Sequence, residues 1–126
     1  MKLQTPLGRV RGLGSAKEGV SHWWAQRLTA VALVPLAIWL VLSLILLTGA
    51  PHAAAVTWLG HPLVTTLMLL LIFATFHHAQ LGLQVVIEDY VHGEGTRLVL
   101  IVLVKFAAIL LGAGSAIAVL KICFTR

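Results

Sequence analysis

The sequence predicts an all-α membrane protein with three transmembrane helices. Of its 126 residues, 60% are hydrophobic and only 10% are charged, whereas about a quarter of the residues of a soluble domain are charged. Three long apolar stretches, at 28–48, 63–87 and 98–120, take up most of the chain. A helix needs about 20 apolar residues to cross a bilayer core, so each stretch is long enough. These observations exclude a soluble enzyme.

The chain is expected to divide into an N-terminal arm and a membrane domain. Residues 1–20 contain four glycines and Pro6 and have no helical apolar period, which predicts a loop or extended arm. Residues 21–126 are predicted to form the transmembrane anchor domain, with helices at about 22–48, 62–90 and 96–121. Trp23 and Trp24 place the start of the first helix at the headgroup level, where amphipathic rings are favoured.

Basic residues are distributed unevenly along the chain. Five of the nine Lys and Arg precede the first apolar stretch, none lies in 49–62, one lies in 88–97, two end the chain, and Lys105 lies within the third stretch. The positive-inside rule therefore puts the N-terminus and the loop 88–97 in the cytoplasm. The net charge of +5 is explained by this topology and by contact with membrane lipid. The sequence has no cluster of basic residues interleaved with aromatic residues, which is the pattern that would indicate nucleic-acid binding.

The second predicted helix becomes polar in its second half, which contains Thr75, His77, His78, Gln80 and Gln84. Polar side chains at depth are costly in lipid and need partners. A neutral imidazole at position 78 suits an axial ligand of haem iron, and Gly82, one turn further on, is expected to leave the space above the imidazole unfilled. A hydrogen bond from His78 to a threonine or a carbonyl of another helix is the alternative. His77 points about 100° away, so only one of the two faces a given ligand. A second axial ligand would have to come from another subunit.

The end of the same helix carries Asp89 and Tyr90. Asp89 follows His78 by eleven residues and so lies on nearly the same helical face. A phenol hydroxyl near the interface can donate a hydrogen bond to a quinone carbonyl, and a nearby carboxylate can relay protons. The alternative is an aromatic-belt tyrosine beside an acidic residue at the helix end.

Residues 78–90 contain the pattern His-x3-Gly-x6-Asp-Tyr, followed by Arg97 and a third apolar stretch. This arrangement resembles the hydrophobic membrane anchor subunit, the D subunit, of succinate dehydrogenase (respiratory complex II). The segment 19–30, GVSHWWAQRLTA, is similar to the start of the first helix in that family. Together with the length and the three predicted helices, the resemblance covers nearly the whole chain.

The resemblance implies a non-catalytic anchor that packs with a companion cytochrome b subunit and tethers the flavoprotein and iron–sulfur subunits. It implies His78 as the axial iron ligand of a b-type haem shared with the cytochrome b subunit, with Gly82 beside it and Arg27 neutralising a haem propionate. It further implies Tyr90 as a hydrogen-bond donor to ubiquinone, with Asp89 as its support. Electrons from succinate would reach quinone in this complex.

Two alternatives to this function stay open. One is a membrane cytochrome subunit of a related complex such as fumarate reductase, and the other is a cofactor-free structural membrane subunit. The expected location is the bacterial cytoplasmic (inner) membrane, as a multi-pass protein. The roles of His22, His77 and Lys105 are left unassigned.

Overall fold

A computed structural model of the chain describes residues 5–12 and 19–125. These residues form helices and connecting turns, with no strand among them. The helices are α1 (Pro6–Val10), α2 (Gly19–Leu47), α3 (His52–Leu59), α4 (Pro62–Tyr90) and α5 (Glu94–Phe124). Of these, α2, α4 and α5 are long and apolar enough to cross a membrane. The prediction of an all-α protein with three transmembrane helices is confirmed.

The ends of the long helices follow from local sequence. Pro62 occupies the first turn of α4, where its missing N–H has no intrahelical partner to lose. Glu94 lies in the first turn of α5, where an acidic side chain interacts favourably with the helix dipole. Helix α2 begins at Gly19, three residues before the predicted start, and continues through Pro35. Membrane helices tolerate proline because other groups satisfy the freed carbonyl.

The N-terminal segment contains a short helix where a loop was predicted. Pro6 opens α1, and the Thr5 side-chain oxygen accepts a hydrogen bond from the Gly8 backbone N–H at 3.1 Å. A threonine cap followed by proline starts a helical turn without any apolar period, so the prediction of a loop is wrong for these residues. Residues 1–4 and 13–18 of the predicted arm lie outside the described residues.

A second unpredicted helix, α3, lies between the first two long helices. Its Trp58 ring stacks on Trp39 of α2, with centroids 5.9 Å apart and an interplanar angle of 25°. Two residues further on, Gly60 is buried. The Thr65 hydroxyl near the start of α4 donates to the Leu59 carbonyl at 2.7 Å. These contacts join α3 to the ends of α2 and α4 that lie far from His78.

Helix α4 is the centre of the fold, because both α2 and α5 pack against it. The buried apolar side chains of the described residues, Leu71, Ala74 and Leu81, all belong to α4. Together with His78 they follow the spacing of three and four residues that defines one side of a helix. On the side of α5, the Phe76 ring lies against Gly112, where an added Cβ would be 3.4 Å from the ring. Small residues permit such close helix approach.

Candidate functional site

His78 is joined to α2 by a hydrogen bond between its Nδ1 atom and the Thr29 hydroxyl, at 3.0 Å. The same hydroxyl oxygen is 2.7 Å from the Ala25 carbonyl oxygen and 3.1 Å from that of Gln26. A hydroxyl has one proton to donate and carbonyl oxygens only accept. The Thr29 proton therefore goes to the carbonyls of its own helix, and the His78 Nδ1–H donates to the Thr29 oxygen. In the neutral imidazole, this assignment leaves Nε2 as the ring nitrogen without a proton.

The Nε2 atom of His78 is the position at which this side chain can bind a ligand. His78 is half-buried and has no further side-chain hydrogen bond among the described residues. The Nε2 atom forms no hydrogen bond with any described residue, yet it is absent from the set of buried polar atoms without a partner. It is therefore accessible at the surface of the chain. Histidine ligands of metals commonly donate their other ring N–H to an orienting oxygen. The Thr29 hydroxyl supplies that oxygen here.

The donor set around His78 suits a haem better than a bare metal ion. Within residues 5–12 and 19–125, no group of three or more His, Cys, Asp or Glu side chains comes together. A tetrahedral protein site needs several such ligands. A haem iron needs only one or two axial side chains, because the porphyrin supplies the rest. The residues present therefore fit a haem with one axial ligand from this chain.

His77 occupies a different surface of α4. Its ring stacks on Phe73, with centroids 5.5 Å apart and an interplanar angle of 20°. It lines a groove between α4 and α5, whereas the adjacent His78 faces Thr29 on α2. The two histidines are thus not interchangeable donors for one ligand bound at one side of α4.

Gly82 lies where α2 and α4 approach each other. A Cβ added to it would be 3.6 Å from the Gln26 side-chain nitrogen, which is an ordinary contact distance. Gly82 therefore faces α2, and the space predicted beside it contains the Gln26 amide. The Oε1 atom of Gln26 and the Nε2 atom of His22 are both buried with no hydrogen-bond partner among the described residues. The i, i+4, i+7 spacing of His22, Gln26 and Thr29 is the signal that could have predicted this polar stripe.

Arg27 is not brought together with His78. Its guanidinium carbon lies 5.1 Å from the centroid of the Trp23 ring, a cation–π arrangement. Arg27 precedes Thr29 by two residues and so points about 200° away around α2. The two tryptophans at the start of α2 pack edge to face at 5.1 Å, and Arg27 extends over one of them.

Asp89 and Tyr90 lie in the last turn of α4 and face outward. Tyr90 is 78% exposed, and neither side chain forms a hydrogen bond with another described residue. Tyr90 follows His78 by twelve residues, about 18 Å along the helix axis. The adjacent turn is tied internally, since the Gln84 amide donates to the Glu88 carboxylate at 2.8 Å. The phenol is thus available to a partner or ligand, but the described chain alone does not enclose it.

The sequence of this chain is similar to those of known proteins. The family model of the succinate dehydrogenase/fumarate reductase transmembrane subunit matches residues 1–112. The chain belongs to this family. The matched range contains the five candidate site residues, Arg27, His78, Gly82, Asp89 and Tyr90.

Relatives within the family carry the more specific name. The succinate dehydrogenase hydrophobic membrane anchor subunit of Rickettsia bellii is 35% identical over 102 residues, which cover 81% of this chain and 82% of that protein. The succinate dehydrogenase membrane anchor subunit of Reclinomonas americana is 32% identical, with 74% and 80% covered. The hydrophobic membrane anchor subunit of Paracoccus denitrificans is 32% identical, with 77% and 74% covered. No solved structure matches. The resemblance to these anchor subunits is therefore confirmed, and the chain is a multi-pass membrane anchor.

Proposed function

We propose that this chain anchors a succinate:quinone oxidoreductase in the bacterial cytoplasmic membrane, shares a b-type haem with a cytochrome b subunit and contributes to the ubiquinone site. In this role it tethers the flavoprotein and iron–sulfur subunits at the cytoplasmic surface, and the excess of Lys and Arg before α2 supports an N-terminus on that side. The observation that carries the proposal is the hydrogen bond between Thr29 and His78. It orients the imidazole and leaves Nε2 unprotonated.

The haem role assigns a distinct task to each residue near His78. His78 Nε2 would hold the haem iron, and the Thr29 oxygen fixes the orientation of the ring and would strengthen the imidazole as an iron ligand. When bound, a haem supplies a one-electron couple between ferric and ferrous iron. The exposed apolar side chains of α2 and α4 exclude water from the surface that it would cover. Arg27 is proposed as the counter-charge of a propionate, a role that requires its side chain to leave the Trp23 ring.

The quinone role belongs to the exposed end of α4. A quinone that accepts two electrons takes up two protons to become a quinol. The Tyr90 hydroxyl donates a hydrogen bond to a quinone carbonyl oxygen, and the Asp89 carboxylate beside it accepts and passes on protons. Both groups are exposed and so can meet a ligand held jointly with another subunit. We infer that the iron–sulfur subunit covers this end and completes the pocket.

A fumarate reductase subunit is the second candidate, because the family description includes both complexes. Succinate oxidation and fumarate reduction are the same reaction in opposite directions. The anchor's residues suit either direction, since Tyr90 and Asp89 can bind a quinone or a quinol.

Purification of the complex tests the proposal. The tagged chain is isolated in mild detergent, co-purifying proteins are identified by mass spectrometry, and a reduced-minus-oxidised spectrum is recorded. We expect flavoprotein, iron–sulfur and cytochrome b subunits, a b-type band, and faster succinate:ubiquinone than quinol:fumarate turnover. The opposite ratio of rates would favour the fumarate reductase. Co-purification without a b-type band would contradict the haem role.

A further inference from the structure

The side of α4 that carries His77 has a polar pattern of its own. His77, Gln80, Gln84 and Glu88 are spaced by three, four and four residues, which places them along one flank of the helix. This flank is separate from the side on which His78 meets Thr29. It runs from the middle of α4 to the end that carries Tyr90. The roles proposed for the haem and the quinone use none of these four side chains.

Two adjoining hollows lie along this flank. The first, the polar cleft, has a volume of about 560 Å³ and is formed by α2, α4 and α5. Its polar lining consists of Ser21, His22, Gln80, Gln84, Glu88 and Lys105. The second, the apolar groove, has a volume of about 330 Å³ and lies between α4 and α5. Phe73, Phe76, Ala108, Gly112 and Ala116 form much of its surface. Gln80 lines both, so the groove and the cleft adjoin at this residue.

Contacts between the helices show at which depth each hollow lies. The Thr29–His78 bond shows that these two residues lie at the same level of α2 and α4. Because the two helices run in opposite directions, Trp24 lies level with residue 83 and Trp23 with residue 84. Tryptophan rings at a membrane surface favour the headgroup region. The polar cleft, which extends from Gln80 to Glu88, is therefore level with these rings, and we expect it at headgroup depth. The groove lies further along α4 toward its middle, where we expect acyl chains.

The charges of the polar cleft lie in a definite order. The Phe76–Gly112 contact sets Lys105, seven residues before Gly112, level with residue 83 of α4. Glu88 lies five residues further toward the helix end, about 7.5 Å along the axis. No ion pair joins Lys105 to Glu88 within the described chain. From the surface inward, the order is thus a carboxylate, an ammonium group and an apolar groove.

One further group in the cleft lacks a partner. His22 lines it, and the Nε2 atom of this residue is buried with no hydrogen bond among the described residues. Buried polar atoms are normally satisfied. An apolar helix of another protein laid over the cleft would leave Nε2 unsatisfied and would also remove Lys105 and Glu88 from water at considerable cost. The occupant therefore needs polar and charged groups of its own.

We propose that the polar cleft and the apolar groove together bind one phospholipid with a zwitterionic, amine-bearing headgroup, that is, a phosphatidylethanolamine. The lipid ammonium group donates hydrogen bonds to the Glu88 carboxylate. The lipid phosphate accepts from Lys105 beside His22 in the cleft lining, and one acyl chain lies in the groove against Phe73 and Gly112. From the headgroup inward, the lipid presents an ammonium group, a phosphate and acyl chains. This order complements the carboxylate, the ammonium group and the apolar groove of the chain. These contacts use none of the side chains assigned to the haem or the quinone.

Lipid exchange on the purified complex tests the site. The complex is washed in detergent, incubated with equal amounts of phosphatidylethanolamine, phosphatidylcholine and phosphatidylglycerol with identical acyl chains, and examined by native mass spectrometry. We expect one retained lipid per copy of this chain, with phosphatidylethanolamine preferred. A quaternary ammonium cannot donate a hydrogen bond to Glu88, and an anionic headgroup lacks the positive charge.

Two variants separate the headgroup contacts from the acyl contacts. Lys105→Gln should lower the retention of phosphatidylethanolamine by about tenfold, in line with the loss of one charge-assisted hydrogen bond. Lys121→Gln, at the other end of the same helix, should leave it unchanged. Ala113→Phe fills the groove without changing charge and should displace the lipid, whereas Ala118→Phe, exposed on α5 outside the groove, should not.

Several results would overturn the proposal. These are a washed complex with no retained lipid, equal or stronger retention of phosphatidylglycerol or phosphatidylcholine, or unchanged retention in both Lys105→Gln and Ala113→Phe. Loss of the companion subunit from Lys105→Gln, with no lipid held by the parent complex, would assign the cleft to a protein partner instead.

Discussion

Two sides of α4 carry neighbouring histidines and are built in different ways. On the side that includes Leu71, Ala74 and Leu81, which we call the closed side, side chains are buried and His78 is hydrogen-bonded to Thr29. On the other, the open flank, His77 stacks on Phe73 and borders a groove. A rotation of about 100° between adjacent residues separates these environments. Helical rotation therefore decides which imidazole the fold orients and which faces the surroundings.

The neighbouring helices explain the difference. Helix α2 presents a polar stripe to α4, and Thr29 in that stripe can hold an imidazole. Helix α5 presents small residues, such as Ala108 and Gly112, which allow close approach at Phe76 and leave an open groove beside it. Hydrogen bonding thus specifies the contact between α2 and α4, whereas the shape of small residues specifies the contact between α4 and α5.

Ala74→Phe should give the largest effect on the closed side. Ala74 is 5% exposed, and a bulky ring there forces α2 away and breaks the Thr29–His78 bond. Overpacking costs about 1–3 kcal/mol or more. We expect a clear fall in the amount of assembled complex on native gels and a lower melting temperature. Ala79→Phe, exposed on the same helix, is the control. Equal assembly of the two variants would show that the closed side is not tightly packed.

Tyr90→Phe should affect quinone chemistry and leave both sides of α4 intact. The change removes one hydroxyl from a side chain that is 78% exposed, so packing is preserved. We expect succinate:ubiquinone turnover to fall by about tenfold, as for the loss of one functional hydrogen bond, while succinate reduction of an artificial dye persists. Equal loss of both activities would argue against a quinone role for Tyr90.

Thr29→Val should produce a smaller change on the closed side. Valine keeps the shape of threonine but cannot accept the Nδ1–H hydrogen bond of His78. Such bonds in membrane proteins contribute about 0.6 kcal/mol, which corresponds to about 25 mV for a one-electron couple. We expect the haem to be retained with a midpoint potential higher by about this amount, because the less basic imidazole stabilises ferric iron less.

Thr29→Ser supplies the matched control for this prediction, since it keeps the hydroxyl. Redox titration of the purified complex should give the parent potential for Thr29→Ser. A shift of the same size in both variants would attribute the effect to packing rather than to the hydrogen bond.

Much of the fold follows from patterns visible in the sequence. The three apolar stretches and the length that a bilayer requires were sufficient to predict α2, α4 and α5. Helix α3 was not predicted, because its eight residues are too few to show a helical period and lie between Pro51 and Gly60, residues typical of a loop. Helix α1 depends on a local cap at Thr5. The segment has no apolar period, so the sequence pattern did not reveal this helix.

The candidate site could be predicted only in part. His78, Asp89 and Tyr90 were predicted from their positions on one helix, because spacing within a helix fixes relative direction. The partner of His78 lies 49 residues away in the chain, and only the register between two helices decides that it is Thr29 rather than another threonine. The same register places Gly82 against Gln26 and turns Arg27 away from His78. The spacing of residues within each helix does not reveal how two helices align, so these contacts could not be predicted.

The spectrum of two adjacent single variants tests the central claim, that His78 and not His77 is oriented as the haem ligand. His78→Gln and His77→Gln are each purified as assembled complexes, and the reduced-minus-oxidised b-type band is measured per complex. We predict loss of the band in His78→Gln, with partial recovery on addition of free imidazole, and a band of full height in His77→Gln. A full band in His78→Gln, or its loss in His77→Gln alone, would contradict this account.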